Sequence, residues 1–204
     1  EILRRLAGNG RLFSFDQDQD AARNAVDVPC FTFVHSNFRF LKNWMRYHGV
    51  DRIDGILADL GVSSHHFDDE QRGFSFRFDA PLDMRMNRSG GRTAADVLNT
   101  STEQRLMEIM RMYGEVRQPG RVVRQIAKAR QVAPIETTGH LATIVGDDKK
   151  ELARVFQALR IEVNNEMRAL EQMLDSARDL LAPGGRLSVL TYHSLEDRMV
   201  KNMI

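Results

Sequence analysis

Short apolar runs alternate with amphipathic stretches in the first part of the chain. The apolar runs predict three strands, at residues 11–16, 31–34 and 53–60. Residues 21–26 and 37–48 have the apolar spacing of helices, and each lies between predicted strands. Strands that alternate with helices through short loops favour a parallel sheet covered by helices on both faces.

The second part of the chain has the pattern of helices almost throughout. Helical spacing recurs in the segments 102–113, 120–131, 137–145 and 152–160. A longer helix is predicted from a stripe of apolar residues, three or four positions apart, that runs from Val163 to Leu181. Pro183-Gly184-Gly185 is expected to end that helix, before a strand at residues 186–191 and a last helix from Leu195 onward.

These elements predict an α/β fold with an inserted all-helical domain. Residues 1–92 and 150–204 supply the strands and the helices that cover them, whereas residues 93–149 contain helices only. Because the chain begins and ends inside helical patterns, we expect it to be truncated at both ends.

A long segment without helical spacing separates the third strand from the inserted helices. It carries three phenylalanines at alternate positions, Phe74, Phe76 and Phe78, among arginines that include Arg72, Arg77 and Arg85. Loops of about thirty residues are uncommon unless they are functional or disordered. Aromatic rings interleaved with arginine suit an unstacked base and its phosphates, and the alternative is a β-ribbon whose phenylalanines pack inward.

Charge is nearly balanced over the whole chain and is concentrated in one helical stretch. The 204 residues carry a formal net charge of +1, which excludes a protein-wide field for nucleic acid. Residues 103–130 contain seven Lys or Arg and three acids, which leaves a local excess of four positive charges. This part of the inserted domain is a candidate surface for RNA, and a solvated helix face is the alternative.

Cysteine content and hydropathy restrict the location of the protein. Cys30 has no partner for an internal disulfide and lies in an apolar run, so we expect a buried thiol in a reducing compartment such as the cytoplasm. No apolar stretch approaches the length of a membrane span, so no membrane partner is expected. No Cys/His pair has the spacing of zinc ligands, and we therefore expect no metal site.

Two predicted strands end in an acidic residue. Asp16 ends the first strand and Asp59 ends the third. A carboxylate at such a strand end accepts hydrogen bonds from the ribose hydroxyls of a nucleotide cofactor, and the alternative is a helix N-cap or a solvated loop acid. Phe38, just after the second strand, is a candidate for stacking on adenine, with core packing as its alternative.

Six motifs follow one another along most of the chain: residues 54–64, 72–76, 81–86, 113–115, 156–161 and 184–198. Together they resemble the MraW/RsmH family, the S-adenosylmethionine-dependent methyltransferases of small-subunit ribosomal RNA. The resemblance implies a class I, Rossmann-like methyltransferase fold with an inserted helical domain. It also implies transfer of a methyl group to the exocyclic N4 amine of a cytidine in the decoding centre.

The resemblance also implies which residues bind the cofactor. Asp16, Phe38 and Asp59 fall at the family's contact positions for S-adenosylmethionine, and His66 falls where the family usually has glutamine. The Gly-Gly-His turn that the family uses for the methionine end of the cofactor lies upstream of Glu1. The implied partners are the small ribosomal subunit and its 16S RNA, and a homodimer is left open.

Three further residues are candidates for the chemistry. The cytosine amine is a poor nucleophile because its lone pair is delocalised into the ring, and a carboxylate that accepts one N–H would localise that pair. We assign this role to Asp83, while Tyr192 and His193, at the end of the last strand, orient the base or pass on the proton. This assignment assumes that the three residues converge at one crevice.

Two other functions are compatible with parts of the pattern. A nicotinamide-dependent dehydrogenase also needs an acid after a strand, but it leaves the segment from Asp59 to Arg85 without a purpose. A helical interaction module on a degenerate α/β platform would bind no cofactor, and it would tolerate Asp16→Ala and Asp59→Ala.

Overall fold

A computed structural model of the chain describes residues 1–62 and 69–203. The strands are β1 (Leu12–Asp16), β2 (Phe31–His35), β3 (Ile53–Asp59) and β4 (Leu181–Leu190). The α-helices are α1 (Ile2–Leu6), α2 (Leu41–Tyr47), α3 (Ala94–Thr100), α4 (Glu103–Met112), α5 (Pro119–Val132), α6 (Thr138–Val145), α7 (Lys149–Asn164), α8 (Glu166–Leu180) and α9 (Ser194–Met203). Short 3-10 helices lie at Gln19–Asn24 and Phe38–Phe40. Strand and helix alternate as predicted up to β3.

Two predicted elements differ from the observed ones. The long apolar stripe does not lie on one helix, because Asn165 adopts a left-handed conformation with φ of 51° and separates α7 from α8. Asparagine tolerates this conformation better than most residues. The last predicted strand begins earlier, at Leu181, because β4 is bulged: Ile53 pairs with Leu181, while Gly55 pairs with Arg186.

One compact unit consists of Glu1–Leu60 and Met167–Ile204. It contains two parallel strand pairs, β1 with β2 and β3 with β4, which confirms a mixed α/β architecture. Both pairs pack inward side chains, such as Phe15 and Ile56, against one core built from α2 and α8. Leu57, on the opposite face of β3, is 61% exposed. The described residues therefore do not cover both faces of this pair, since side chains of β3 alternate between the core and solvent.

A second compact unit is Gly61–Glu166. Its helices, α3 to α7, enclose a core that includes Ile109, Ile126 and Leu159. The preceding loop is part of this unit, because Phe74 and Met84 are buried in the same core. The predicted boundary between residues 92 and 93 falls inside the unit, and the predicted division into domains stays a prediction.

Two expectations about location can be compared with the structure. Among the described helices, none has both the length and the apolar character that crossing a membrane requires. Cys30 is partly exposed. The expectation of a buried thiol is therefore wrong, because Cys30 precedes β2 at the end of a largely exposed loop.

Gly73 allows the loop of the second unit to fold back on itself. Its φ is +71°, and a Cβ atom there would lie 2.3 Å from the Pro81 carbonyl oxygen. We expect Gly73→Ala to lower the free energy of unfolding by about 2 to 4 kcal/mol, because backbone strain adds to a contact that no side-chain movement relieves. Thermal unfolding of the protein expressed from its complete gene should show a Tm lower by about 5 to 15 °C.

Gly90→Ala is the matched control, because nothing lies within 4 Å of a Cβ atom at Gly90. We expect it to change stability by less than about 0.5 kcal/mol. Equal Tm values for the two variants would contradict the packing described for Gly73.

Candidate active site

Asp16 lies at the carboxyl end of β1 with an exposed carboxylate. Its Oδ1 accepts a hydrogen bond from the Asp18 N–H at 2.8 Å, and its backbone carbonyl accepts one from the Ser36 N–H. The N-cap of the following 3-10 helix is Asp18, not Asp16. This excludes the N-cap alternative for Asp16 and leaves an accessible carboxylate of the kind that accepts from two hydroxyl groups.

The end of β2 is tied to the end of β1 by side chains. Asn37 Nδ2 donates to Gln17 Oε1 at 2.8 Å, and Asn37 Oδ1 accepts from the Arg39 N–H. Phe38 follows directly and is partly buried against the core of its unit. The core-packing alternative for Phe38 is therefore correct for part of the ring, and its remaining exposed part is what a base would contact.

Asp59 and Tyr192 are brought together at the ends of β3 and β4. The Tyr192 hydroxyl donates to Asp59 Oδ1 at 2.7 Å. The two residues belong to adjacent strands, because Asp59 pairs with Leu190 in the parallel register and Tyr192 follows two positions later. The hydrogen bond from Tyr192 to the Asp59 carboxylate, together with its charge, raises the pKa of Tyr192 above its usual value of 10.0. The phenol, which is protonated at neutral pH even at its usual pKa, is the donor in this hydrogen bond.

His193 has a different environment from its neighbour Tyr192. Its side chain is only 7% exposed, whereas Tyr192 is 65% exposed. Nδ1 of His193 accepts from the Glu196 N–H at 3.4 Å, and Nε2 lies 3.2 Å from Glu196 Oε1. Both ring nitrogens thus face Glu196, which sequence reasoning missed. The spacing His193-Ser194-Leu195-Glu196 carried the signal, because it matches a capping box with histidine as the N-cap.

Asp83 lies in the second unit, where Arg85 engages its carboxylate. Arg85 Nε donates to Oδ1 at 2.7 Å, Nη2 donates to Oδ2 at 2.9 Å, and the Arg85 N–H also donates to Oδ1. Burial raises the pKa of the Asp83 carboxyl, but the hydrogen bonds and charge of Arg85 together hold it below 3.8. Asp83 is therefore an ionised acceptor whose oxygens are shared with Arg85. His66 lies outside the described residues.

The phenylalanine loop divides into buried and exposed members. Phe74 is 5% exposed, so the inward-packing alternative is correct for this ring. Phe76 contacts Phe156 edge-on at 5.3 Å, and Phe78 is 41% exposed beside the exposed Arg77. Phe78, Arg77 and the exposed part of Phe76, which is 36% exposed, therefore remain available to an unstacked base.

Arg72 cannot contact phosphate as the sequence suggested. The side chain is almost fully buried, and Nη2 donates at 2.9 Å to the carbonyl oxygens of Arg85 and Met86. A buried guanidinium needs such acceptors because it cannot lose its charge. Arg72 therefore holds the loop together from inside.

Only some of the basic residues in the stretch 103–130 face solvent. Arg105 donates to both carboxylate oxygens of Glu162, and the guanidinium groups of Arg121 and Arg130 donate to backbone carbonyls at helix ends. The exposed cations are Arg111, Arg117, Arg124 and Lys128. Arg111 and Arg124 line an open groove of about 570 Å³ between α4 and α5, whose rim also carries Glu103 and Glu108.

Comparison with known proteins gives consistent matches over the whole chain. The sequence profile described as the MraW methylase family matches residues 1–204. The chain is 59% identical to ribosomal RNA small subunit methyltransferase H of Bacteroides thetaiotaomicron, over 100% of this chain and 69% of that protein. Proteins of the same name from Porphyromonas gingivalis and Cytophaga hutchinsonii are 53% and 49% identical, over 100% of this chain and 68% and 71% of theirs.

The Asp83–Arg85 pair makes stability depend on pH. The pKa of Asp83 is lower in the folded protein than in the unfolded chain. The pair therefore contributes stability that is fully present at pH values above the pKa of Asp83 in the unfolded chain. That contribution disappears as the pH falls through the folded pKa. We expect Asp83→Asn to reduce the free energy of unfolding by about 1 to 3 kcal/mol at neutral pH, and the difference from wild type to shrink as the pH falls below the pKa of an unfolded Asp, about 3.9.

Denaturant unfolding of both proteins across this pH range measures the difference. Asp147→Asn is the control, because Asp147 is an exposed acid in the same unit, and it should change stability little at any pH. A difference for Asp83→Asn that does not vary with pH would refute the ion pair as its source.

Proposed function

Because this chain belongs to the MraW methylase family, we propose that it methylates the exocyclic N4 amine of a cytidine in the decoding centre of small-subunit ribosomal RNA, with S-adenosylmethionine as methyl donor. The observation that carries the proposal is the contact of Tyr192 with Asp59 at the carboxyl ends of two parallel strands. Ligands of open α/β sheets bind at that end of the strands. A class I, Rossmann-like fold is part of the proposal, as is the inserted helical domain.

The strand-end residues suit the proposed cofactor. S-adenosylmethionine supplies, when bound, a methyl group on a positively charged sulfur. Asp16 is exposed beside a backbone that its own Oδ1 helps to order, so its carboxylate can accept from the ribose hydroxyls. Asp59 is the second acid, and the exposed part of Phe38 packs on the adenine. We assign His66 to the same pocket from the family position alone.

Of the residues assigned to the chemistry, Asp83 is a hydrogen-bond acceptor and Tyr192 is a hydrogen-bond donor. Asp83 accepts one N–H of the cytosine amine, which localises the lone pair on nitrogen. Because its pKa is low, Asp83 is a hydrogen-bond acceptor more than a base, and the proton passes to solvent. Tyr192, a protonated phenol on the Asp59 carboxylate, orients groups at the strand ends, and His193 supports it. Positioning of the amine supplies most of the rate enhancement.

RNA must be held so that the target base can leave its stack. Phe78 and Arg77 provide an exposed ring and an exposed cation on one loop. The exposed cations of the helical unit provide contacts for phosphates. The small ribosomal subunit with its 16S RNA is therefore the proposed partner, and such a substrate implies a cytoplasmic location.

Cofactor binding tests the proposal first. Using protein expressed from its complete gene, we expect calorimetry to show S-adenosylmethionine binding that Asp16→Ala and Asp59→Ala each weaken about tenfold or more. Asp27→Ala is the matched control, since Asp27 is an exposed loop acid in the same unit. No binding by the wild-type protein would favour the helical interaction module instead.

Methyl transfer to small subunits tests the acceptor. Subunits prepared from a strain that lacks the gene are incubated with labelled S-adenosylmethionine, and the RNA is digested to nucleosides. We expect the label in N4-methylcytidine from the decoding centre. Label in any other nucleoside would overturn the assignment of the N4 amine while leaving the methyltransferase activity in place.

Salt dependence tests the helical surface. Because Arg124 is an exposed cation in this unit, Arg124→Gln should lower the slope of log affinity for small-subunit RNA against log salt concentration by about one. Arg178→Gln serves as the control, because Arg178 is an exposed residue of α8 beside Asp175. Equal slopes for Arg124→Gln and wild type would show that Arg124 faces solvent in the complex.

A further inference from the structure

A buried carboxylate supports the residue that contacts Asp59. Glu196, in the first turn of α9, is only 2% exposed. Its Oε2 accepts from the Tyr192 N–H at 2.8 Å and from the His193 N–H at 3.4 Å. Its Oε1 lies 3.2 Å from His193 Nε2. One side chain thus accepts hydrogen bonds from two successive backbone amides and lies beside an imidazole.

Burial of a carboxylate is unfavourable unless donors surround it. The donors that Glu196 finds lie at the point where the chain leaves β4 and turns into α9. Two residues after β4 ends, the Tyr192 hydroxyl meets Asp59 Oδ1 at 2.7 Å. A Tyr192 side chain that is 65% exposed has few packing contacts to orient it, so its direction depends on the backbone that Glu196 fixes.

We propose that Glu196 is a positioning residue for the methyltransferase, which acts through Tyr192 to orient the Asp59 carboxylate for the cofactor. This inference rests on the proposed function for the role of Asp59, but the placement of Tyr192 by Glu196 does not. A capping box alone would predict that Glu196 stabilises α9 and nothing more. The two roles differ in whether removal of Glu196 changes Tyr192 and cofactor binding.

Substitution of Glu196 and Tyr192, singly and together, separates the two roles. In the protein expressed from its complete gene, we expect Glu196→Ala to weaken S-adenosylmethionine binding about three- to tenfold. In the Tyr192→Phe background, Glu196→Ala should cause little further loss of affinity, because Tyr192→Phe already removes the contact with Asp59 through which Glu196 acts. Glu196→Gln keeps a carbonyl oxygen for the Tyr192 N–H and should restore most of the affinity.

A second measurement does not need the cofactor. With carbon-13-labelled tyrosine, NMR titration reports the phenol of Tyr192, whose signal is identified by its absence from Tyr192→Phe. Because the charge of Glu196 also raises the pKa of Tyr192 directly, Glu196→Gln measures the effect of removing that charge alone. Glu196→Ala should lower the titration midpoint further, because the hydroxyl leaves Asp59. Asp197→Asn is the control: Asp197 lies in the same turn, is exposed and pairs with Lys201, so it should alter neither measurement.

The outcomes are distinguishable. Equal losses of affinity in both backgrounds, with the same Tyr192 titration midpoint in Glu196→Ala as in Glu196→Gln, would overturn the inference and leave Glu196 as a helix cap. A wild-type protein that binds no S-adenosylmethionine, but whose Tyr192 titration midpoint falls further in Glu196→Ala than in Glu196→Gln, would refute the proposed function and support the placement of Tyr192 by Glu196.

Discussion

The parallel pairing of β3 with β4 is the constraint on which the candidate site depends. It joins Asp59 to Leu190 across more than half of the chain, and parallel strands need a long crossover because their ends lie at opposite edges. Here the crossover contains the whole helical unit as well as α8. The strand register decides that Asp59 and Tyr192 end at the same edge, where the phenol can reach the carboxylate.

Charged side chains support the fold in several places where the sequence suggested binding. Arg72 donates to loop carbonyls from inside the second unit, and Arg105 pairs with Glu162. Buried or half-buried charges of this kind need partners within the protein, because they have lost contact with water. A count of basic residues along a helix therefore overestimates the surface that is available to RNA.

Each unit contains a candidate residue with a shifted pKa: Asp83 in the second unit and Tyr192 in the first. Arg85 lowers the pKa of Asp83, and Asp59 raises the pKa of Tyr192. Each pKa moves in the direction that preserves the hydrogen-bonding role of its group at neutral pH, and neither favours proton transfer. Groups that accept or donate hydrogen bonds without taking up a proton suit a reaction in which orientation of a weak nucleophile matters more than general-base strength.

The sequence by itself determined the strand ends at Asp16 and Asp59, most helix positions and the family, because each follows from local periodicity or from residues in a fixed order. The tertiary structure decided the break at Asn165, the bulge in β4 and the burial of Arg72, Phe74 and Glu196. Burial depends on neighbours that are distant in the chain, and so does the choice between alternative partners for a charge. The spacing His193-Ser194-Leu195-Glu196 follows a local rule for helix starts, so it could be recognised in the sequence. Only the contact of Tyr192 with Asp59 connects this motif with the candidate site.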